Sequence, residues 1–405
     1  MSRKKTVVVV GGGAAGFFGA IACAEANPEC RVILIEKARQ VLSKVRISGG
    51  GRCNVTHACF DPAALIHNYP RGGKELRGAF SRFQPRDTIE WFSSRGVALK
   101  TEADGRMFPV TDSSETIISC LMQQMEAAGV ELWREKGVID CEKEERFHLT
   151  LSNGERLECD ALLVASGSSS KVFEWVEKLG HTIEALVPSL FTFNIPDFSL
   201  IELAGVSVPR VQVTLEELGL QQVGPLLITH WGFSGPAILK LSAWGARLLH
   251  HNSYRTMLTI NWLPDVPVEA FKLLLAEYRH SHAGRLVGNE CPVELPKKLW
   301  KTLLENAGVS SEVRWSVLSK QHVQAIVQQL YGSLFQIDGK STNKEEFVTC
   351  GGVKLQEVDF KTMESKLCPG LYFAGEVLDV DGVTGGFNFQ NAWTTAWLAG
   401  NAMAD

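Results

Sequence analysis

The chain lacks the features that mark several classes of protein. Its ten cysteines are scattered without a C-x-x-C pair, so neither a zinc site nor a disulfide framework is indicated, and reduced thiols in the cytoplasm are expected. The 15 prolines and 45% hydrophobic content are typical of a globular protein rather than a disordered one. Because the formal charge is −4 and no run of basic residues occurs, we predict a small-molecule partner and no nucleic acid.

Long uncharged runs are also scarce. The one from Thr6 to Ala24 is compatible with a secretion signal or a membrane span, and no other segment reaches the roughly 18 residues that a membrane helix needs. Neither interpretation explains why Gly11, Gly13 and Gly16 stand where they do. We therefore expect no membrane association.

The sequence is comparatively rich in glycine, with 37 residues. The first glycine segment, Gly11 to Gly16, follows a β-branched run, Thr6 to Val10, that predicts a buried strand. A helical pattern follows, then a second predicted strand, Arg31 to Ile35, with Glu36 directly after it. In G-x-G-x-x-G the glycines allow a tight turn, close approach to a pyrophosphate and helix packing, while the acid accepts hydrogen bonds from a ribose. A glycine-rich structural turn is the alternative. Dinucleotide contacts are predicted for Gly11, Gly12, Gly13, Ala14, Ala15, Gly16, Glu36 and Lys37.

A second glycine segment, Ser43 to Asn54, favours FAD over NAD as the dinucleotide. We predict a basic loop rather than a helix, in which three successive glycines permit close approach to a flat ligand or a phosphate. The alternative is a flexible surface loop, and Cys53 is more readily interpreted as a buried spectator thiol than as a redox group. FAD contacts are predicted for Lys44, Gly50, Gly51, Arg52 and Cys53.

Two further segments predict the same kind of contact. Leu157 to Ala165 reads as a buried strand that enters a glycine turn, and Gly370 to Glu376 reads as a strand that delivers an acid beside a glycine. A helical pattern to Met403 then follows two more glycines. FAD contacts are predicted for Ala165, Ser166, Gly167, Gly375, Glu376, Gly385, Gly386, Phe387 and Asn388. Because both ends of the chain would contact one dinucleotide, the FAD-binding domain is expected to be discontinuous.

Four motifs carry a resemblance to a known family: Ile47 to Thr56, Thr229 to Pro236, Thr349 to Val353 and Gly370 to Gln390. Over essentially its whole length the chain resembles the FAD-binding oxidoreductases that include aminoacetone oxidase-like and 3-dehydro-bile-acid reductase-like proteins, with distant likeness to fumarate reductase flavoproteins. It departs from them at His57, where the family usually has Asn, and at Phe387, where the family usually has Tyr. Any role of a phenol hydroxyl at the second position is therefore in doubt.

The resemblance implies an α/β fold in which a Rossmann-like FAD-binding domain, residues 1–187 and 342–405, is interrupted by a β-barrel-like insert. That insert would comprise residues 188–242 and 321–341 and carry a helical sub-insert, residues 243–320. The middle of the chain has no second strand-glycine-helix unit, so a pyridine nucleotide or another electron donor would have to act without a dedicated domain.

The function expected from these features is that of an FAD-dependent oxidoreductase, which transfers a hydride or an electron pair to or from a small molecule through non-covalent flavin. Oxidation of an amine or hydroxyl compound by oxygen and reduction of an activated carbon–carbon double bond both stay open. The alternative is a flavoprotein that modifies nucleic acid or protein, or one without catalysis. Arg52 and His230 are the predicted catalytic residues, each with a structural role as its alternative, and no metal is predicted.

Overall fold

The computed structural model describes residues 4–340 and 348–405, which fall into two compact units. Unit 1 comprises residues 1–187 and 349–405, and unit 2 comprises residues 188–348. The position at which we predicted the return to the FAD-binding domain, residue 342, lies outside the described residues.

The helices of the described chain, in order, are α1 (Ala14–Ala26), α2 (Ser43–Gly51), α3 (Pro62–Leu65), α4 (Gly73–Phe80), α5 (Pro85–Ser93), α6 (Ser114–Ala127), α7 (Ser170–Lys178), α8 (Pro236–Trp244), α9 (Ala246–His251), α10 (Val268–Ser281), α11 (Lys297–Asn306), α12 (Lys320–Tyr331) and α13 (Phe387–Ala404).

The strands are β1 (Thr6–Val10), β2 (Arg31–Ile35), β3 (Thr56–His57), β4 (Leu99–Thr101), β5 (Arg106–Pro109), β6 (Glu131–Trp133), β7 (Val138–Lys143), β8 (Phe147–Leu151), β9 (Arg156–Cys159), β10 (Ala161–Val164), β11 (Ile183–Ser189), β12 (Phe193–Asn194), β13 (Ser207–Leu215), β14 (Leu220–Ile228), β15 (Gly232–Ser234), β16 (Arg255–Asn261), β17 (Ser333–Asp338), β18 (Val348–Val353), β19 (Val358–Asp359), β20 (Glu364–Ser365) and β21 (Leu371–Phe373).

A seven-stranded sheet forms the centre of unit 1, in the order β19-β20-β21-β10-β1-β2-β6. The five strands from β21 to β6 are parallel, and β20 and β19 add an antiparallel edge. Every residue of β1 is buried, as expected for a β-branched run covered on both faces. The carboxyl ends of β21, β10 and β1 therefore lie side by side at one edge of the sheet.

Helices α1 and α13 join the two ends of the chain inside unit 1. A Cβ on Gly400 would lie 2.6 Å from the carbonyl oxygen of Gly19, and a Cβ on Gly19 would lie 2.6 Å from Cδ2 of Leu163. These contacts allow no side chain, so the glycines let the two helices and the sheet approach closely. Most of α13 is buried, which makes the last 18-residue helix part of the core.

Unit 2 contains a six-stranded antiparallel sheet, in the order β12-β15-β14-β13-β16-β17. An isolated bridge between Phe193 of β12 and Lys340, just after β17, brings the two edges of this sheet together. Phe233 and Phe335 meet edge to face at 4.8 Å in its core. The predicted α/β fold, with a Rossmann-like domain and a β-barrel-like insert, is thus confirmed.

Several predicted elements differ from those observed. The segment that we predicted as a loop contains α2, whose helical turn ends where Ser48 is extended and Gly49 and Gly50 are left-handed. The predicted strand Leu157 to Ala165 is two strands, because Asp160 interrupts it by accepting the Thr6 N–H and a bond from Arg146. The uncharged run from Thr6 is β1 followed by α1, and no helix of the described chain is long and apolar enough to span a bilayer.

The internal boundaries predicted for the insert can be compared with the elements found there. Strand β16 lies within the predicted helical sub-insert, residues 243–320, yet it pairs with β13 and β17 in the six-stranded sheet. Helix α12 lies within residues 321–341, which we predicted to be β-rich. In unit 2, the helices therefore form two groups along the chain, α8 and α9 before β16, and α10 to α12 between β16 and β17.

Candidate functional site

The glycine turn between β1 and α1 is built by two glycines that its own packing requires. Gly11 has a φ of 113°, and a Cβ there would lie 2.5 Å from the carbonyl oxygen of Ala165. A Cβ on Gly16 would lie 1.8 Å from the carbonyl oxygen of Gly11. Gly13 is different, since a Cβ there would meet nothing within 4 Å. The open space at Gly13 is where a ligand can approach the backbone.

The amino end of α1 faces that space. Gly13 is the N-cap in an extended conformation, and no side chain caps the helix. The first-turn N–H groups of Ala14, Ala15 and Gly16 have no intrahelical acceptor, and the helix dipole adds partial positive charge at this end. A pyrophosphate at Gly13 would meet these amides, so the turn fits a dinucleotide.

Glu36 stands directly after β2 and is fixed by backbone donors. The Gly12 N–H donates to its Oε2 at 2.7 Å, and the Ala38 N–H donates to its Oε1 at 2.8 Å. A carboxylate has about four lone-pair directions, which leaves acceptor capacity for ribose hydroxyls. Lys37 is exposed and has no polar partner among the described residues.

The turn after β10 lies against the first glycine turn. Ala165 and the Cα of Ser166 are the atoms that a Cβ on Gly11 would strike, at 2.5–2.8 Å. Gly167 has a φ of 62°, and a Cβ there would lie 3.6 Å from Oε2 of Glu376. The predicted contacts from these two parallel strands are therefore brought together at the same edge of the sheet.

Gly375 and Glu376, just after β21, complete this edge. A Cβ on Gly375 would lie 3.0 Å from the Cβ of Ala15 at the start of α1. The Glu376 carboxylate accepts the Thr349 N–H at 3.0 Å and pairs with the Lys44 ammonium at 2.5 Å. Lys44 and Glu376, which we predicted separately as cofactor contacts, thus form one ion pair.

The end of α2 and the loop after it contain two glycines in open space and a buried cysteine. Gly50 and Gly51 are left-handed, and a Cβ on either would meet nothing within 4 Å. Cys53 is fully buried, and burial raises the pKa of its thiol to about 12. A thiol in that environment stays protonated and unreactive at neutral pH.

Arg52, a predicted catalytic residue, belongs to an ion-pair cluster. Its Nη1 lies 2.6 Å from Oε1 of Glu102 and 3.6 Å from Oδ1 of Asp112, and its guanidinium lies 4.0 Å from the centre of the Phe108 ring. These contacts fix the guanidinium at the end of the loop. The contacts agree with both predicted roles of Arg52, which are to stabilise the loop and to hold a positive charge for the substrate.

The segment Gly385 to Asn388 begins α13. A Cβ on Gly386 would lie 2.5 Å from the carbonyl oxygen of Thr56, so this glycine allows the helix to start against β3. The Asn388 side chain exchanges two hydrogen bonds with the backbone of Gly382, at 2.8 and 2.9 Å. No side chain caps α13. The N–H groups of its first turn therefore have no intrahelical acceptor and no side-chain cap.

The two positions at which the chain departs from the family are in contact. The rings of His57 and Phe387 stack with centroids 4.7 Å apart and an interplanar angle of 21°. Nε2 of His57 lies 3.1 Å from the Asp104 carbonyl oxygen, to which it must donate, because a carbonyl only accepts. The departures at these positions therefore form one unit beside the start of α13.

His230, the other predicted catalytic residue, belongs to unit 2. It is exposed in the turn between β14 and β15, followed by Trp231, which is also exposed. The Trp231 N–H donates to Oγ1 of Thr229 in that turn. The contacts predicted in the turns after β1, β10 and β21 come together at the sheet edge, whereas His230 belongs to unit 2.

Two buried polar clusters were missed by sequence reasoning. Arg71 forms a two-pronged ion pair with the fully buried Asp381, and this pair fixes the loop that precedes Gly385. Nδ1 of His181 donates to the Glu357 carboxylate at 3.2 Å, and in the neutral ring Nε2 then accepts from the Ser365 hydroxyl at 2.8 Å. Their partners are 176–310 residues apart in sequence, and only a set of related sequences would have indicated such pairs.

The His181 cluster has the composition of a hydrolytic triad but not the access that one needs. His181 and Ser365 are buried, and the Ser365 hydroxyl also accepts the N–H groups of Leu367 and Cys368. Burial lowers the pKa of His181, although Glu357 opposes that shift. The cluster therefore joins β20 to the segment before β11 and has no open side for a substrate.

Known proteins resemble this chain over nearly its whole length. A family described as the HI0933-like protein Rossmann domain matches residues 5–402. The chain belongs to the HI0933-like family. The ribosomal RNA dihydrouridine synthase of Escherichia coli K12 is 33% identical over 397 residues, which is 95% of this chain and 94% of that protein.

Two further likenesses span the whole chain. The 3-dehydro-bile acid delta(4,6)-reductase of Clostridium scindens is 26% identical over 406 residues, or 97% of each protein. The 3-ketosteroid-delta4-(5alpha)-dehydrogenase of Rhodococcus jostii RHA1 has a TM-score of 0.52 at 14% identity, covering 100% of this chain and 98% of that one. At that identity the second likeness concerns the fold alone.

This HI0933-like protein is an FAD-dependent oxidoreductase, as we predicted from its motifs. The residues fit the cofactor: the open space at Gly13, the uncapped amino end of α1 and the acceptor capacity of Glu36 lie along one edge of the sheet. The contacts predicted for individual residues remain predictions about that cofactor.

Proposed function

We propose that this chain reduces a carbon–carbon double bond conjugated to a carbonyl group. Two relatives with unlike substrates support this. A dihydrouridine synthase forms dihydrouridine, which is uridine with its carbon–carbon ring double bond saturated. A delta(4,6)-reductase of a 3-dehydro bile acid acts on double bonds that are conjugated with a ketone. The substrates differ in size and charge, but the type of bond is the same. Both relatives match nearly the full length of this chain, and the type of bond that they share is the observation that carries the proposal.

FAD supplies the hydride transfer when bound. The chain's own residues would hold and orient it. The α1 amides and the opening at Gly13 would receive the pyrophosphate, and Glu36 would accept ribose hydroxyls. The uncapped amino end of α13 carries partial positive charge, which would stabilise negative charge that develops during reduction.

Uridine in RNA is the substrate that we put first, because the dihydrouridine synthase of Escherichia coli is 33% identical and the bile-acid reductase 26%. The formal charge of −4 favours the second candidate, a small neutral enone. In either case a pyridine nucleotide or another donor would supply electrons without a dedicated domain, and the reduced thiols still favour the cytoplasm.

Arg52 and His230 are the side chains that we propose to act on the substrate, by orienting charge and exchanging a proton. If they do, Arg52→Ala and His230→Ala should each slow flavin reoxidation by the substrate by about 10²-fold, the usual scale of general acid–base effects. Flavin content should stay nearly intact. A variant that loses flavin but keeps its rate per bound flavin would reassign that residue to loop stabilisation.

Anaerobic stopped flow tests the reaction itself. Reduced holoprotein is mixed anaerobically with a uridine-containing RNA transcript, with cyclohexenone or with buffer, and in a separate run with air-saturated buffer, and products are examined by mass spectrometry. We expect reoxidation only with a conjugated substrate, together with a product that has gained two hydrogen atoms. If oxygen reoxidises the flavin rapidly while neither conjugated substrate does, the chain is an oxidase and the proposal fails.

A further inference from the structure

A cleft of about 610 Å³ lies in unit 2 between helices α10 and α12. Residues spaced along one face of each helix line it: Lys272, Ala276 and Arg279 from α10, and Lys320, Val323, Gln324, Val327 and Gln328 from α12. Positions three and four apart share a helix face, so the lining follows from the sequence spacing. We call this cleft the α10–α12 groove.

The groove is positively charged and has no carboxylate in its lining. Lys272 pairs with Glu269 at 2.7 Å, but both side chains are largely exposed, so the pair contributes little and leaves the ammonium accessible. Arg279 and Lys320 form no ion pair with any residue that the structure describes. Three cations thus face one space in a chain whose formal charge is −4.

The remaining lining suits a polyanion with hydrogen-bonding groups. Helix α12 contains no Asp or Glu, and its Gln324 and Gln328 side chains carry both donors and acceptors. Val323 and Val327 supply apolar surface beside them. Lys272 and Arg279 are seven residues apart, or about 10.5 Å along the helix axis. That length is about three times the roughly 3.4 Å of helix axis per charge along one strand of a duplex.

We propose that the α10–α12 groove binds the phosphodiester backbone of RNA. This inference rests on the proposed function, since it assigns a docking surface to the RNA substrate. Cations spread along two helices match a chain of regularly spaced charges, since each of them could contact a different phosphate. We predicted from the formal charge of −4 that the chain binds no nucleic acid. Phosphate binding depends on the cations near the binding surface rather than on the total charge, so the groove could still bind RNA.

The test uses full-length holoprotein and a fluorescein-labelled, uridine-containing single-stranded RNA, with anisotropy measured over a series of salt concentrations. One variant combines Lys272→Gln, Arg279→Gln and Lys320→Gln. The matched control combines Lys297→Gln, Lys298→Gln and Lys301→Gln on α11, which removes the same charge outside the groove. Thermal unfolding of all three proteins checks that they are folded.

We expect the groove variant to bind RNA at least about tenfold more weakly, with the slope of log affinity against log salt reduced by about 2, the value for three phosphate contacts on a single strand. The control should keep wild-type affinity. Equal losses in both variants, or unchanged binding in the groove variant, would overturn the inference. So would binding of polyglutamate in the groove with no binding of RNA, which would indicate an acidic protein partner.

Dihydrouridine formation, measured on the same proteins, separates the two proposals. If the wild type reduces uridine in RNA and the groove variant binds that RNA normally, only the groove inference is wrong. If the wild type binds RNA through the groove but leaves both RNA and cyclohexenone unreduced, only the proposed function is wrong. The groove variant should still reduce cyclohexenone at the wild-type rate if that small enone is accepted.

Discussion

Two glycines of the same turn should respond to substitution in opposite ways. At Gly13 a Cβ would meet nothing within 4 Å, and the residue has a φ of −93°, which any L-residue adopts. At Gly16 a Cβ would lie 1.8 Å from the Gly11 carbonyl oxygen, more than an ångström closer than real contacts allow. We expect Gly13→Val to remove FAD from an intact fold and Gly16→Ala to damage the fold itself.

The magnitudes follow from these contacts. Gly13→Val should change the stability of the apoprotein by no more than about 0.5 kcal/mol, since its Cβ would meet no atom within 4 Å. Gly16→Ala should cost about 1–3 kcal/mol or more, because the turn must open to admit a methyl group. For domains of this size that corresponds to a fall in Tm of roughly 3–10 °C.

Apoproteins of the wild type and both variants are melted with and without added FAD, and the flavin that purifies with each is measured by its visible absorbance. FAD should raise the Tm of the wild type by mass action and leave Gly13→Val unchanged. If Gly13→Val purifies with a full flavin complement, the open space at Gly13 is not the pyrophosphate site. If Gly16→Ala melts like the wild type without FAD, the packing argument is wrong.

Three other predictions concern single side chains. Glu36→Ala should weaken FAD by about 1.5–3 kcal/mol in a titration of apoprotein, the scale of hydrogen bonds to a charged group, and Glu36→Gln should lose less. Burial lowers the pKa of His181 in the folded protein, so its imidazole stays neutral there. The free energy of unfolding should therefore fall as the pH drops below about 6.5, because the unfolded chain then binds a proton that the folded chain does not. His181→Asn should lack that fall. Cys53 should resist a thiol reagent at pH 7 until the chain unfolds, since burial raises its pKa to about 12; rapid labelling of native protein would contradict its burial.

The first βαβ segment is the part of the fold that the sequence predicts best. Strand β1 and strand β2 have the predicted bounds, because a buried β-branched run and a glycine turn act within a few residues of each other. The same local rules missed α2, since the glycines that break this helix hide the helical turn before them. They also missed the break at Asp160, whose cause is a contact with Thr6 far earlier in the chain.

The side-chain pairs around the site could not be predicted from the sequence. Lys44 and Glu376 are 332 residues apart, and Arg71 and Asp381 are 310 apart. Nothing in either local pattern indicates its partner, because such pairs depend on β21 taking its place beside β10. The stacking of His57 on Phe387 has the same origin, although both positions stood out as departures from the family.

The predictable features of the site are those that a short local sequence pattern specifies. A glycine turn, a helix amino end and an acid after a strand all recognise the common part of a dinucleotide, so they persist between relatives with different substrates. Substrate choice must then depend on side chains that vary beside this frame. His57 and Phe387 meet the condition of position, since they stack on each other at 4.7 Å and adjoin the Gly385 turn where α13 begins. The sequence predicts the other condition, because both residues differ from those usual in the family that the chain resembles. A difference in substrate between this chain and its relatives should therefore be sought first at that pair, and only then among the glycine motifs.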